Sequence, residues 1–338
     1  MTQKNRQWLL RRRPSGVVQP ADFEYRETEI PAADALRPGE ILLRNRMFVC
    51  APTMRNWMDG AANALYPTMR LGHPVLAPAG GEVVASANPV IPAGSRVTTF
   101  GSWQDYQVIG AEQPVAALPE GTGFIEALGV LGFNSLTGYF GLLKVGMPKP
   151  GQTLVVSGAA GSTGSIAAQI GRIKGCRVIG IAGGAEKCAW LVKECRLDAA
   201  IDYRSGNLYE RLKQLCPNGI DIFFDNVGGE VLQAAVDNMA RFGKIVLCGQ
   251  IAGYNSGAPI EGPRNMMRII YGSITLQGFL VGNYASEAGA ALEELRTWMA
   301  SGEIVHREDV RYGFDAIPAT FAALFDGTNR GTLLAAIE

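Results

Sequence analysis

Val155-Val156-Ser157-Gly158-Ala159-Ala160-Gly161-Ser162-Thr163-Gly164 is the stretch on which the fold turns. Its first residues complete the apolar run Thr153-Leu154-Val155-Val156-Ser157, and Ser162 opens a helical stretch that reaches Lys174 and stops before Gly175. Glycines 158, 161 and 164 therefore follow a strand and open a helix. So tight a turn needs residues without bulky side chains, and the N–H groups at the start of the helix can then hold an anion. Gly164 lets the helix pack close to the strand. The spacing is G-x-x-G-x-x-G rather than the commoner G-x-G-x-x-G, so its weight comes from the strand–turn–helix setting. A purely structural glycine turn is the plainer alternative.

Downstream the pattern repeats. Arg177–Ala182 reads as a second strand and Glu186–Cys195 as a second helix. Ala199–Asp202, Ile220–Asp225, Lys244–Cys248 and Ile274–Phe279 read as the third to sixth strands. Strands alternating with helices of about 10–15 residues imply a parallel sheet. Six strands is the count of a complete, doubly wound Rossmann sheet that binds a dinucleotide. Upstream, short apolar stretches such as Glu40–Leu43 and Gly81–Val84 are set among Pro and Gly, as in a β-rich domain. Short strands return from about Gly302, with Gly327, Asn329 and Gly331 as turn residues. The expected architecture is α/β, with a Rossmann domain over 126–301 and a β-rich domain assembled from 1–125 and 302–338.

The 338 residues carry 31 Lys+Arg and 31 Asp+Glu, so no net field favours a nucleic acid or an anionic membrane. With 47% hydrophobic and 18% charged residues the chain is not a disordered one. Its 42 glycines imply many tight turns and close backbone approaches. No run approaches the roughly 18 apolar residues of a membrane span. Arg11-Arg12-Arg13 leads into Pro14-Ser15-Gly16, so neither a signal peptide nor an anchor is expected. The six cysteines form no C-x-x-C pair and read as reduced, mostly buried thiols of a cytoplasmic protein.

The end of the second strand indicates which dinucleotide is held. A site for NAD usually carries an Asp or Glu about 20 residues past the first glycine, accepting from the ribose 2′-OH. Here the chain reads Ile181-Ala182-Gly183-Gly184, with no carboxylate, and Lys187, one of eight lysines, follows. A small uncharged strand end beside a cation suits the 2′-phosphate of NADPH; an ordinary exposed helix lysine is the alternative. Zinc does not fit. Cys50 and Gly72-His73 stand where dehydrogenases of this layout can hold it, but Pro74 replaces the Glu and no cysteine lies between Cys50 and Cys176. A catalytic zinc takes three protein ligands. No metal is expected, and His73 reads as a turn histidine.

Motifs along nearly the whole chain then carry a resemblance. They are Asn5-Arg6-Gln7-Trp8-Leu9-Leu10, Arg13-Pro14-Ser15-Gly16, Gly101-Ser102-Trp103-Gln104-Asp105-Tyr106 and Leu128-Gly129-Val130-Leu131-Gly132, together with the long run Lys174–Cys188. Asp225-Asn226-Val227-Gly228-Gly229 and Cys248–Asn255 complete them. The chain resembles the zinc-independent medium-chain dehydrogenase/reductases. Among these it is similar to the NADPH-dependent double-bond reductases: the leukotriene B4 dehydrogenase/prostaglandin reductase group, plant 2-alkenal reductases and bacterial curcumin reductase. The resemblance implies a GroES-like β-rich catalytic domain, NADPH as cofactor and a homodimer. It puts Lys187 and Tyr203 on the 2′-phosphate, and Ala159, Ala160, Gly161 and Ser162, with Gly164 behind them, along the pyrophosphate. Asn226 falls near the nicotinamide, and Cys248, Gly249, Gln250, Ile251 and Tyr254 around the ribose and nicotinamide. Phe279, Leu280 and Val281 back the ring, and Asn329 reaches the cofactor from the C-terminal segment. Phe100 and Gly101 border the substrate. Where the family commonly reads Asp-Pro-Tyr-Met-Arg, this chain has Ala51-Pro52-Thr53-Met54-Arg55, so Thr53 removes a large ring from the substrate region. Tyr66, eleven residues beyond Arg55, is the candidate to replace it in part or to match a second substrate-facing tyrosine of relatives.

The reaction implied is reduction of the C=C bond of an α,β-unsaturated ketone or aldehyde. Hydride reaches the β-carbon, and charge builds on the carbonyl oxygen. A hydrogen-bond donor aimed at that oxygen lowers the barrier. Tyr254 and the cofactor ribose are the candidate donors, and Tyr254 packing over the cofactor without donating stays open. A carbonyl or quinone reductase on the same fold is the competing enzyme. The non-enzyme alternative is a cofactor-binding structural or RNA-binding protein, against which the neutral charge speaks.

Overall fold

In the computed structural model, which describes residues 4–60, 67–256 and 261–338, the chain forms two units. One comprises Met1–Gly129 with Glu308–Glu338, the other Val130–Arg307. The first unit opens with an antiparallel pair, β1 (Asn5–Leu10) and β2 (Phe23–Thr28). β3 (Ile41–Val49), the one-turn helix α1 (Met54–Met58), β4 (Leu76–Ser86), β5 (Arg96–Ser102), β6 (Tyr106–Ile109), β7 (Val115–Ala117) and α2 (Phe124–Leu128) follow. β3 pairs antiparallel with β4 and β6, β4 with β5, and β5 with β7. The core of this unit includes an aromatic group: the Trp103 ring lies 5.2 Å from Phe23 and 5.6 Å from Phe321. The unit takes in α2, beyond the 125/126 division expected from sequence, because Leu128 is buried in this core and Phe124 packs against it.

The second unit begins with α3 (Phe133–Phe140), which a π-helical segment, Gly141–Gly146, continues. β8 (Thr153–Ser157), α4 (Ser162–Ile173), β9 (Arg177–Ala182), α5 (Ala185–Lys193), β10 (Ala199–Asp202), α6 (Leu208–Leu215), β11 (Ile220–Asp225), α7 (Gly229–Asp237), β12 (Met239–Leu247), α8 (Met266–Gly272), β13 (Thr275–Gly278) and α9 (Ala288–Ala300) then alternate. Their strands form one sheet in the order β10-β9-β8-β11-β12-β13, every pair parallel. This is the 3-2-1-4-5-6 order of the doubly wound dinucleotide-binding fold. Helices cover both faces of such a sheet, so its central strands are apolar on both sides. Leu154, Val156 and Phe224 enter one core and Val155, Ile179 and Phe223 the other, as the period of two requires. α4 stops where Gly175 takes φ +80 and its N–H closes on Arg172 O at 2.9 Å.

Two strands differ from the sequence reading. β12 starts at Met239, not Lys244, because Met239 pairs with Ile220 before the register breaks. The charged Arg241 and the exposed Phe242 then interrupt the buried apolar run that marks the strand. β12 ends at Leu247 because the Cys248 N–H turns to Asp225 O. β13 is shorter than Ile274–Phe279, since Ile274 donates to Ile269 O and closes α8. The chain finally returns to the first unit as β14 (Glu308–Tyr312), α10 (Ile317–Ala322) and β15 (Thr332–Ala336), with β15 parallel to β14 and antiparallel to β3. Among the described residues no helix is long and apolar enough to cross a membrane.

Candidate functional site

Ligands of an open parallel sheet bind beyond the carboxyl ends of its strands, at the point where strand order reverses. Here that point lies between β8 and β11. After β8, Gly158 takes φ +58, and the Ala159 N–H donates to Ile181 O at 3.0 Å. Ala159 is wholly buried and Ala160 nearly so, so their side chains belong to the core beneath the turn. A Cβ at Gly164 would lie 2.3 Å from the Gly158 carbonyl oxygen, which explains the third glycine. Gly161 caps α4 with no side-chain bond, and the N–H groups of Ser162, Thr163 and Gly164 have no acceptor among the described residues. Such orphan donors at a helix start form a seat for an anion.

Asp225, at the end of β11, ties this edge together, and the sequence reading did not single it out for this. Its Oδ1 accepts from Ser157 Oγ at 2.7 Å and Val227 N at 3.0 Å, and Gly228 N lies 3.1 Å from both its oxygens. Its backbone oxygen accepts from Cys248 N and Gly249 N at 2.9 and 3.0 Å. The glycine turn, the loop after β11 and the loop after β12 therefore share one anchor. Burial raises the Asp225 carboxyl above its ordinary pKa, against the opposing pull of the Val227, Gly228 and Ser157 bonds. Asn226 braces the same edge: its side-chain amide donates to Ser157 O at 2.7 Å and its N–H to Ser157 Oγ at 2.8 Å.

Two further loops complete the edge. Gln250 N–H donates to the Tyr254 hydroxyl at 3.2 Å, in the loop after β12. In the same loop burial pushes the Cys248 thiol up to about 12. Phe279 follows β13, and its ring occupies the space a Cβ at Gly141 would need, 2.3 Å away. Leu280 beside it is exposed and Val281 half-buried. Beyond β9 and β10, Lys187 stands half-buried in the first turn of α5 and Tyr203 is exposed. Asp202 Oδ1 accepts from the N–H groups of Gly184 and Arg204 at 2.9 and 3.0 Å, which hold its carboxyl below the usual range.

The remaining candidates belong to the first unit. Thr53 precedes α1, and Phe100 packs edge-on to Trp57 at 5.3 Å. A Cβ at Gly101 would meet Gln107 Nε2 at 2.4 Å and Ala79 Cβ at 2.8 Å, so this glycine serves strand packing. Asn329 donates to Gly331 O at 3.1 Å. Tyr66 lies outside the described residues. Burial pushes the Cys50 thiol up to about 12. Among the described residues no three His, Cys, Asp or Glu are grouped as metal ligands would be. The sequence reading did not single out Trp57, which packs on the candidate Phe100, or Arg204, which lies over the candidate Tyr203.

A parallel sheet of this order, with an uncapped glycine turn at its switch point, defines a dinucleotide-binding protein. Two family profiles match the chain, one described as the N-terminal domain of oxidoreductase over residues 6–117, the other as zinc-binding dehydrogenase over residues 162–297. The NADPH-dependent curcumin reductase of Escherichia coli (strain K12) is 33% identical over 98% of this chain and 96% of its own. Prostaglandin reductase 1 of Bos taurus is 36% identical over 96% of each. The crystal structure of CurA from Vibrio vulnificus superposes with a TM-score of 0.92 at 35% identity over 99% of both chains. A second structure of CurA holds NADPH and superposes equally well, at 34% identity over 98% of this chain and 99% of that one. The chain belongs to the medium-chain dehydrogenase/reductases, in the group of the curcumin, prostaglandin and 2-alkenal reductases.

Proposed function

We propose that the protein is an NADPH-dependent reductase of the C=C bond of α,β-unsaturated ketones and aldehydes that works without a metal. The observation that carries the reading is the Asp225 anchor, which holds the anion-binding turn and the Tyr254 loop on one sheet edge. The residues present fit the dinucleotide. Orphan N–H groups at Ser162–Gly164 suit its pyrophosphate, and Lys187 and Tyr203 stand at the strand ends where a 2′-phosphate would be read. A Cβ at Gly249 would crowd Asn226 O at 3.2 Å and the Tyr254 hydroxyl at 3.4 Å, so glycine keeps that loop low. Bound there, NADPH supplies hydride for the β-carbon of the substrate.

The protein's own part is to bind, orient and stabilise charge. Asn226 and the Cys248–Ile251 backbone form the nicotinamide-side wall, and Phe279, with Leu280 and Val281, backs it. Tyr254 donates to the carbonyl oxygen as charge builds there; a hydroxyl that already accepts from Gln250 N–H is a better donor for it. The α-carbon takes its proton from water. Pro74 in place of the Glu and the lack of any cysteine between Cys50 and Cys176 support metal independence. All six cysteines are free thiols, consistent with a cytoplasmic protein.

We further propose a homodimer. β13 is an edge strand with three of its four residues exposed, and α8 beside it exposes Met266, Met267, Ile270 and Tyr271. Such an edge is normally covered, and two-fold pairing with a second copy would cover the strand and the helix together. Light scattering should give twice the chain mass, falling to one chain in Ile270→Glu.

NADPH consumption over a panel of enones, quinones and simple carbonyls, with the products identified and a chelator present, tests the activity. Saturated ketones as products support the reading. Allylic alcohols, hydroquinones or loss of activity with the chelator refute it.

A further inference from the structure

Resting on the NADPH reading above, we propose that Arg204 is a specificity-determining residue that holds the 2′-phosphate together with Lys187 and so sets the preference for NADPH over NADH. Three observations converge at the outer strand ends. β10 runs beside β9 with Asp202 opposite Ala182, so the residues after Asp202 stand next to Gly183 and Gly184. The guanidinium carbon of Arg204 lies 5.7 Å from the centre of the Tyr203 ring. A Cβ at Gly183 would meet Arg204 Nε and Tyr203 Cε1, each at 3.0 Å. Arg204 is therefore folded back over the end of β9, where the ribose of a bound dinucleotide falls in this architecture.

The nearby carboxylate, Asp202, attracts the Arg204 guanidinium without bonding it and accepts from backbone N–H groups instead. Asp202 Oδ1 is held by the N–H groups of Gly184 and Arg204, which fixes the loop after β10 and gives Arg204 a defined backbone position. That leaves a planar, permanently charged fork on Tyr203, matched to the oxygens of a phosphate monoester. A ribose hydroxyl offers no such charge. The absence of a side chain at Gly183 then has a specific consequence, because it makes room for the guanidinium and the Tyr203 ring against the strand end.

The test is binding, measured by fluorescence titration of NADPH and NADH against the parent, Arg204→Gln and Arg204→Lys. Arg204→Gln should weaken NADPH about 10- to 150-fold and leave NADH unchanged. Arg204→Lys should fall between, because it keeps the charge and loses the fork. Added salt should weaken NADPH less steeply in Arg204→Gln than in the parent. Gly183→Ala, which displaces a flexible side chain rather than backbone, should shift the preference the same way with the melting temperature retained. Equal losses for both dinucleotides would make Arg204 an adenine or fold contact, and an unchanged preference in Arg204→Gln would assign the phosphate to Lys187 and Tyr203. Either result overturns this proposal while leaving the NADPH reading standing. A parent that binds NADH as tightly as NADPH overturns the cofactor reading itself.

Discussion

Replacing Gly164 by alanine tests the stretch on which the fold turns. The added Cβ would lie 2.3 Å from Gly158 O, 2.9 Å from Gly158 C and 3.0 Å from Ala159 Cα. All three are backbone atoms, so no side-chain rotation relieves them. Carbon contacts settle near 3.5–4.0 Å, so the start of α4 must move away from the turn by roughly 1 Å. Overpacking of this kind costs about 1–3 kcal/mol, which outweighs the roughly 0.5–1 kcal/mol that alanine gains over glycine in a helix. For a unit the size of Val130–Arg307, each kcal/mol lowers Tm by about 2–4 °C. A fall of several degrees is therefore expected, with NADPH binding weakened because the orphan N–H groups have moved. Gly161→Ala is the control: its Cβ would lie 3.3 Å from Gly158 O, and its φ of −84 suits any residue. That variant should keep its Tm and lose affinity only through the methyl group standing before the pyrophosphate. Thermal unfolding and fluorescence titration with NADPH read both effects. If Gly164→Ala melts and binds as the parent does, the close approach of helix and turn does not govern this site.

Tyr254→Phe should lower turnover by about 10²–10³ with NADPH affinity retained, the usual cost of one donor to a developing oxyanion; unchanged turnover with chemistry rate-limiting would pass the role to the ribose or water. Lys187→Ala should weaken NADPH about 10- to 150-fold and spare NADH, since a charge-assisted bond to a dianionic phosphate is lost. Equal losses for both would make Lys187 a fold residue. Asp225 gives a pH prediction. Its carboxyl is raised above 3.8 by burial, so the folded state holds that proton more tightly than the unfolded chain. The stability it contributes is fully present below the unfolded value and is lost as pH rises through the folded one. Denaturant unfolding should show the parent's margin over Asp225→Asn narrowing through that window, and a widening margin would contradict the burial argument.

The sequence alone determined what depends on local pattern. The runs at 153–157, 177–182, 199–202 and 220–225 are strands at those residues, because parallel strands covered on both faces read as largely apolar runs. Of the three glycines at the turn, Gly158 has a positive φ and Gly164 a backbone contact that exclude a side chain. Tertiary structure decided what depends on residues distant in the chain. Asp225 reaches Ser157 across 68 positions, and no local pattern reveals that one residue, through its carboxylate and its backbone oxygen, anchors three loops. β12 begins at Met239 because it pairs with Ile220, although the run that marks it starts five residues later. The ring of Phe279 needs Gly141, and Arg204 lies over Gly183, because chain segments far apart in sequence end at the same sheet edge. Local propensity marks a strand or a turn by its own residues, whereas a site is made by contacts between them, and those exist only once the sheet has set the strand order.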